Sequence, residues 1–218
     1  MLISTKDCGA KKMNKNEFSK KYRHFLRKKL NLNNIKRLEN KDFSIISQNC
    51  IGGVILHELN QRFNSPTVNL FFSAEDFLKF ASNLEYYLGM ELVQIKTERP
   101  YPVGKLDDVT VYFMHYNSFQ EASKKWMERI KRINWDNLYV MMSQTEGCTD
   151  LMVKEFDMLP FENKVIFTAK EYPDVKSAVY IKGSEISDCM VKDLCQYKSK
   201  FTGERLIDDF DYVSFLNL

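Results

Sequence analysis

The chain has 218 residues, 44% of them hydrophobic, and 32 Lys and Arg against 29 Asp and Glu give a net charge of +3. That suffices for one large domain with a sizeable core. No run of about 18 apolar residues marks a membrane span, and no apolar leader opens the chain, so a cytoplasmic protein is expected. Cys8, Cys50, Cys148, Cys189 and Cys195 are scattered without a CxxC pair, which predicts reduced thiols and argues against structural zinc.

The charge is divided. Residues 1–42 hold 13 Lys and Arg against 4 Asp and Glu, a balance of +9, while the rest hold 19 against 25, a balance of −6. Within the basic part, "NKNEFSKKYRHFLRKKLNLNNIKRLENKD" sets Phe18, Tyr22, Phe25 and Leu26 at helical spacing, with Lys20, Lys21, Arg23, Arg27, Lys28 and Lys29 mostly around the remaining surface. This pattern predicts a basic amphipathic helix. Two uses are open: peripheral contact with an anionic membrane through residues 14–38, or packing of the Phe/Tyr stripe on the main domain with the lysines solvated. No RNP, zinc-finger or helix-turn-helix pattern supports nucleic acid as a partner. The expected organisation is a basic helical extension over 1–42 and a single α/β domain over 43–218.

From Phe43 onward short apolar runs alternate with helical periodicity. The strand-like runs are "FSIIS", "VNLFF", "ELVQIK", "VTVYFM", "NLYVMM", "KVIFT" and "SAVYI", and the helical segments are Gly53 to Phe63, Ala74 to Leu88, Ser118 to Ile133 and Asp150 to Leu159. Ser73 before "AEDF" and Ser118 before "FQEA" are Ser-x-x-acid start signals. Gly, Pro and charge make Lys96 to Asp108 a loop. The alternation predicts an α/β fold: an open, mostly parallel sheet with helices on both faces, three layers in all, preceded by the basic helix.

In such a sheet a ligand lies beyond the carboxyl ends of the strands, near the place where strand order reverses. The polar residues that follow the apolar runs are therefore the candidates: Gln48, Asn49 and Cys50; His115, Tyr116 and Asn117; Ser143, Gln144, Thr145 and Glu146; Thr168, Lys170 and Glu171. The corner "SQNCIGG" adds Gly52 and Gly53, whose tight turn would open a helix N-terminus toward a phosphate or carboxylate. Cys50 sits where the helix dipole favours a thiolate. With His115 as base and Asp108, Asn117 or Glu146 orienting it, a Cys-His arrangement would follow; a buried, inert Cys50 and a structural His115 are the plainer alternatives.

Other features carry less. His57 in "HEL" lacks a second histidine four residues on, so no zinc-protease helix is expected. Asp107-Asp108 and Asp209-Phe210-Asp211 would suit a divalent cation bridging a diphosphate, or would simply be solvated acids. No metal ligand set is named, and the cofactor is unknown. Trp126, Ile130 and Ile133 have core spacing, with Arg129 and Arg132 beside them.

Taken together, "FSIISQNCIGGVILHELNQRFNSPTVNLFFSAEDFLKFASNLEYYL", "YPVGKLDDVTVYFMHYNSFQEASKKWMERIKRINWDNLYVMM" and "KVIFT" resemble the domain family of unknown function found in exopolysaccharide-biosynthesis and glycosyl- or acyltransferase-type proteins. The likeness rests on Asn49 to Gly53, Ser65-Pro66-Thr67 with Asn69, Asp107-Asp108, His115-Tyr116 and Trp126/Arg129/Arg132. It implies a role in making surface polysaccharide and carries over no catalytic residues.

Two classes of function follow. One is a glycosyl- or acyltransferase that binds an anionic donor, such as a nucleotide sugar, with Cys50, His115 and Asp108 as catalytic candidates and Gln48, Asn49, Gly52, Gly53, Asn69, Tyr116, Asn117, Thr145, Glu146 and Lys170 lining the ligand. The other is a sugar- or nucleotide-binding assembly module without turnover; a Cys-His thiol hydrolase is a further alternative.

Overall fold

Ser73 Oγ accepts the Asp76 N–H at 3.0 Å and Ser118 Oγ accepts the Glu121 N–H at 3.2 Å, so both Ser-x-x-acid signals start helices. The computed structural model describes residues 15–218. In chain order these form α1 (Lys15–Arg37), β1 (Ser44–Ser47), α2 (Ile51–Glu58), α3 (Ala74–Ser82), α4 (Leu84–Gly89), β2 (Val93–Ile95), β3 (Val103–Leu106) and β4 (Val109–Tyr112). There follow α5 (Phe119–Ile130), β5 (Leu138–Ser143), α6 (Asp150–Asp157), β6 (Asn163–Thr168), β7 (Ala178–Tyr180), β8 (Glu185–Ser187), β9 (Met190–Val191), a 3-10 turn (Leu206–Asp209) and α7 (Tyr212–Leu216). Cys8 and the start of the 14–38 segment lie outside the described residues.

The main sheet is four-stranded, ordered β1-β5-β6-β7, with every neighbouring pair parallel. Ile46, Val140, Met142 and Ile166 point to one core, which they share with Phe77, Phe80, Trp126 and Phe156. Ile45, Tyr139, Met141, Val165 and Phe167 point to a second core, formed with Ile51, Ile55 and Leu56 of α2 and with Ile207, Tyr212, Val213 and Leu216. Strands buried on both faces read as unbroken apolar runs, which is why "NLYVMM" was legible. The strand order runs in one direction and has no reversal, so the topological crevice expected at a reversal has no counterpart in this sheet.

Three expected strands lie elsewhere. "ELVQIK" and "VTVYFM" supply β2 and β4, which flank β3 in an antiparallel meander. Tight antiparallel pairing needs no helical crossover, so the alternation rule does not apply to this stretch. β3 falls inside Lys96 to Asp108, read from sequence as loop; its Val103, Gly104 and Leu106 are buried, and a Cβ at Gly104 would lie 2.7 Å from Leu92 Cδ1. "VNLFF" contributes a single bridge, Phe71 to Tyr112, because Asn69 at φ 64° turns the backbone out of extension.

Helix α1 meets the rest of the chain through Arg23, which lies over the Tyr197 ring, and through Arg27, Asn34 and Arg37, not through its aromatic stripe. Asn34 Nδ2 donates to the Tyr212 hydroxyl at 2.9 Å. Arg27 is buried: Nε donates to Glu58 Oε1 at 2.9 Å, Nη2 to Glu58 Oε2, and Nη1 to Asp208 Oδ2 and to the Gly203 carbonyl. Arg205 Nε donates to the same Glu58 Oε1 at 2.9 Å. Burial disfavours the Arg27 charge, but the Glu58 and Asp208 carboxylates outweigh it and push its pKa up. Phe18, Tyr22 and Phe25 are exposed. These ion pairs fasten α1 to Glu58 and to the segment that carries Asp208. No helix among the described residues is long and apolar enough to cross a membrane.

Candidate functional site

The sequence repeats Ser-Gln at the ends of two neighbouring strands, "IISQ" and "MMSQ". Both glutamines are fully buried, and each reaches sideways to the next strand as a peptide group would. Gln48 Oε1 accepts the Ser143 N–H at 2.9 Å while its Nε2 donates to Thr145 Oγ1 at 3.1 Å. Gln144 Oε1 accepts the Ala169 N–H at 2.8 Å while its Nε2 donates to the Tyr172 hydroxyl at 2.8 Å. The side chains thereby extend the ladder beyond β1, β5 and β6 and fix the backbone that carries the edge residues.

Asn49, Gly52 and Gly53 serve the same internal order. Asn49 Oδ1 accepts the Ile51 N–H at 3.1 Å, Asn49 Nδ2 donates to Ser143 Oγ at 3.3 Å, and Ser47 Oγ accepts the Gly52 N–H at 3.2 Å. Two of the helix-opening N–H groups offered to an anion are thus already bonded. A Cβ on Gly52 would sit 2.8 Å from both Ile45 Cγ2 and Ser47 Cβ, and one on Gly53 3.2 Å from Val68 Cγ1. Close contact of α2 with β1 and the 68–70 segment accounts for both glycines.

Cys50 donates to the Leu70 carbonyl at 3.9 Å. Burial, with Asp193 nearby, pushes its thiol up to about 11. His115 is exposed beyond β4 and shares no hydrogen bond with Cys50. Its neighbour Tyr116 is buried and donates to the Val68 carbonyl at 3.0 Å while accepting from Arg129 Nη1 at 2.7 Å. Cys50 and Tyr116 therefore converge on the 68–70 segment, where Asn69 is exposed. Asp108 lies at the opposite end of β4, hydrogen-bonded to the Tyr87 hydroxyl at 2.8 Å and near Lys79, which hold its carboxyl below the usual range. Four strand residues separate Asp108 from the His115 end, on the order of 13 Å. The structure does not gather Cys50, His115 and Asp108 into one constellation.

The chain's own later segment lies against the carboxyl edge at β5: Val191 N donates to the Gln144 carbonyl at 2.9 Å, and Asp193 acts on Cys50. Polar groups remain accessible at the ends of β5 and β6. Glu146 is exposed, and Lys170 Nζ donates to Asp150 Oδ2 at 3.0 Å while lying 5.3 Å from the Tyr172 ring centre. The Tyr172 hydroxyl donates to Asp150 Oδ1 at 2.6 Å. That bond and Lys170 hold the Asp150 carboxyl down, so it is an acceptor and not a proton donor at neutral pH. Asn117 stands apart, in a groove of about 580 Å³ beside Lys96, Arg99, Tyr101 and Gln120.

No group of three or more His, Cys, Asp and Glu gathers for a metal ion among the described residues. Asp209 pairs with Lys198 and Asp211 with Arg37, while Asp107 accepts from the Tyr86 hydroxyl at 2.9 Å. Asp150 and Tyr172 are the edge residues that sequence reading left out as ligand candidates. Tyr172 lies four positions past the end of β6, and only the repeated Ser-Gln pair hinted that this edge is built as a unit.

The family model described as "Domain of unknown function (DUF1919)" matches residues 21–217. An uncharacterized protein of Haemophilus influenzae is 45% identical over 203 residues, covering 93% of this chain and 96% of that protein. The family match includes most of α1 together with the Ser-Gln edge. The chain belongs to the DUF1919 family.

Proposed function

We propose that the chain is a carbohydrate-handling protein of surface-polysaccharide assembly that holds a glycan segment at the carboxyl ends of β5 and β6 without covalent chemistry. One observation carries the reading: buried Gln48 and Gln144 fix Thr145 and Tyr172, beside which Glu146, Asp150 and Lys170 reach solvent. Donors and acceptors of both signs next to an aromatic ring suit a hydroxyl-rich ligand, whereas a phosphate calls for unpaired N–H groups or clustered cations. Support also comes from the resemblance to exopolysaccharide-biosynthesis proteins. The thiol, protonated and bonded to Leu70, has no part in this reading.

A glycosyl- or acyltransferase is the second reading, favoured by one observation. Glu146 is an exposed carboxylate next to Thr145 on the same edge, placed to take a proton from an acceptor hydroxyl. Thermal-shift titration with neutral oligosaccharides and with nucleotide sugars separates the two. The module predicts a response to oligosaccharides that weakens about tenfold in Asp150→Ala. A response to nucleotide sugars alone, with release of nucleotide that Glu146→Gln abolishes, would replace the module with the transferase; silence toward both would remove the carbohydrate reading.

A further inference from the structure

Helix α1 has two faces of opposite character. The inward face carries Arg27 and Asn34, fastened to Glu58, Asp208 and Tyr212. At 100° per residue the outward face carries Phe18, Tyr22, Phe25 and Leu32, exposed to 60%, 46%, 63% and 50%. Lys28, Lys29 and Lys36 lie on or beside that stripe and form no ion pair among the described residues, and Glu17 is the only acid in the helix. Exposed aromatic residues at this spacing form an apolar stripe that the other described residues leave uncovered. The stripe runs for about 20 Å, nearly the length from Phe18 to Leu32 at 1.5 Å per residue.

We propose that this outward face of α1 docks flat on an anionic bilayer surface, with Phe18, Tyr22, Phe25 and Leu32 entering the headgroup boundary and the lysines meeting lipid phosphates. The charge decides the occupant. A second copy of the helix would bring Lys28, Lys29 and Lys36 against their own kind, with no acid on the stripe to offset them. A nucleic-acid duplex would satisfy the lysines yet leave both phenylalanines in water. A lipid surface takes both classes of side chain at once, the rings below the headgroups and the long lysine stems reaching up to them. The buried ion pairs on the inward face hold the helix on the domain, so the whole protein is carried to the surface and no order needs to be gained on binding.

Co-flotation of the full chain with phosphatidylcholine vesicles, with and without phosphatidylglycerol, tests this. The protein should float with the anionic vesicles and stay behind with the neutral ones. Lys28→Glu with Lys29→Glu should weaken that binding at least about twenty-fivefold, at about fivefold per lysine charge removed. Phe18→Ser and Phe25→Ser should each weaken it about tenfold. All four positions are exposed, so melting temperatures should not move. The proposal is overturned if the anionic vesicles do not carry the protein, if neutral vesicles carry it equally, or if the variants bind like the parent. It is equally overturned if the same substitutions instead abolish a concentration-dependent dimer or retention of single- or double-stranded nucleic acid.

Discussion

Arg27 and Glu58, 31 positions apart, meet fork to fork with each side chain 5% exposed, and Arg205 adds a third bond to the same carboxylate. A buried pair of this kind is weak testimony to net stability, because both charges have left water. Breaking it is another matter. Arg27→Ala leaves Glu58 with Arg205 alone and strips Asp208 of its buried cation; about 3 kcal/mol of unfolding free energy should be lost. Urea denaturation followed by circular dichroism measures the loss, and a change below about 0.5 kcal/mol would mean that the fork does not hold α1 in place.

The glutamine clips make a second prediction. Gln144→Ala leaves the buried Ala169 N–H and the Tyr172 hydroxyl short of a partner, at a cost of about 2 kcal/mol. Amide hydrogen exchange should show loss of protection at Ala169 specifically. If protection there survives, the side chain is not the acceptor that closes the edge.

Gly52→Ala distinguishes a packing glycine from one that admits a ligand. The new methyl would crowd Ile45 and Ser47, so stability should fall by about 1–3 kcal/mol with no ligand present. Gly147→Ala instead meets open space but must hold φ at 82°, so any loss there comes from backbone strain. Unchanged melting of Gly52→Ala would reopen the corner as a place where a ligand approaches the backbone.

The thiols give the protein an alkaline limit. Burial pushes Cys50 from 9.0 up to about 11 and Cys148 to about 12. Between the ordinary and the raised value the native state keeps a proton that the unfolded chain has released, so stability falls as pH rises through that window and is unaffected below it. Each thiol contributes a slope of about 1.4 kcal/mol per pH unit. Thermal melts from pH 9 upward should show the fall, and Cys50→Ala should flatten it. Near neutral pH the Cys50 thiolate fraction should be about a hundredfold below that of an ordinary cysteine, so iodoacetamide should modify exposed Cys189 first. Preferential alkylation of Cys50 would contradict its protonated state.

Much of this architecture is written locally in the chain. The caps at Ser73 and Ser118, the doubly buried β5 and β6 and the amphipathic spacing of α5 depend on residues within a few positions of one another. What escaped reading depends on distant partners. β3 looks like a loop until Val103, Gly104 and Leu106 find β2, β4 and Leu92. Arg27 reads as one more solvated cation until Glu58 and Asp208 enclose it. The edge was legible as a row of polar residues at strand ends. That Asp108 and His115 flank one strand is readable from "VTVYFM" itself; that Gln48 and Gln144 are clips depends on β1, β5 and β6 lying side by side.

Glu58 also imposes an order in time. Its partner Arg27 is synthesised before it, but Arg205 comes 147 positions later, on the stretch that also brings Asp208. Until that stretch leaves the ribosome, α1 has only half its counter-charges and the second core lacks Ile207, Tyr212, Val213 and Leu216. Helix α1 is thus secured in part by Asp208, made 181 positions after Arg27. Ribosome-bound chains that stop short of Arg205 should leave Arg27 open to proteases that the finished protein resists.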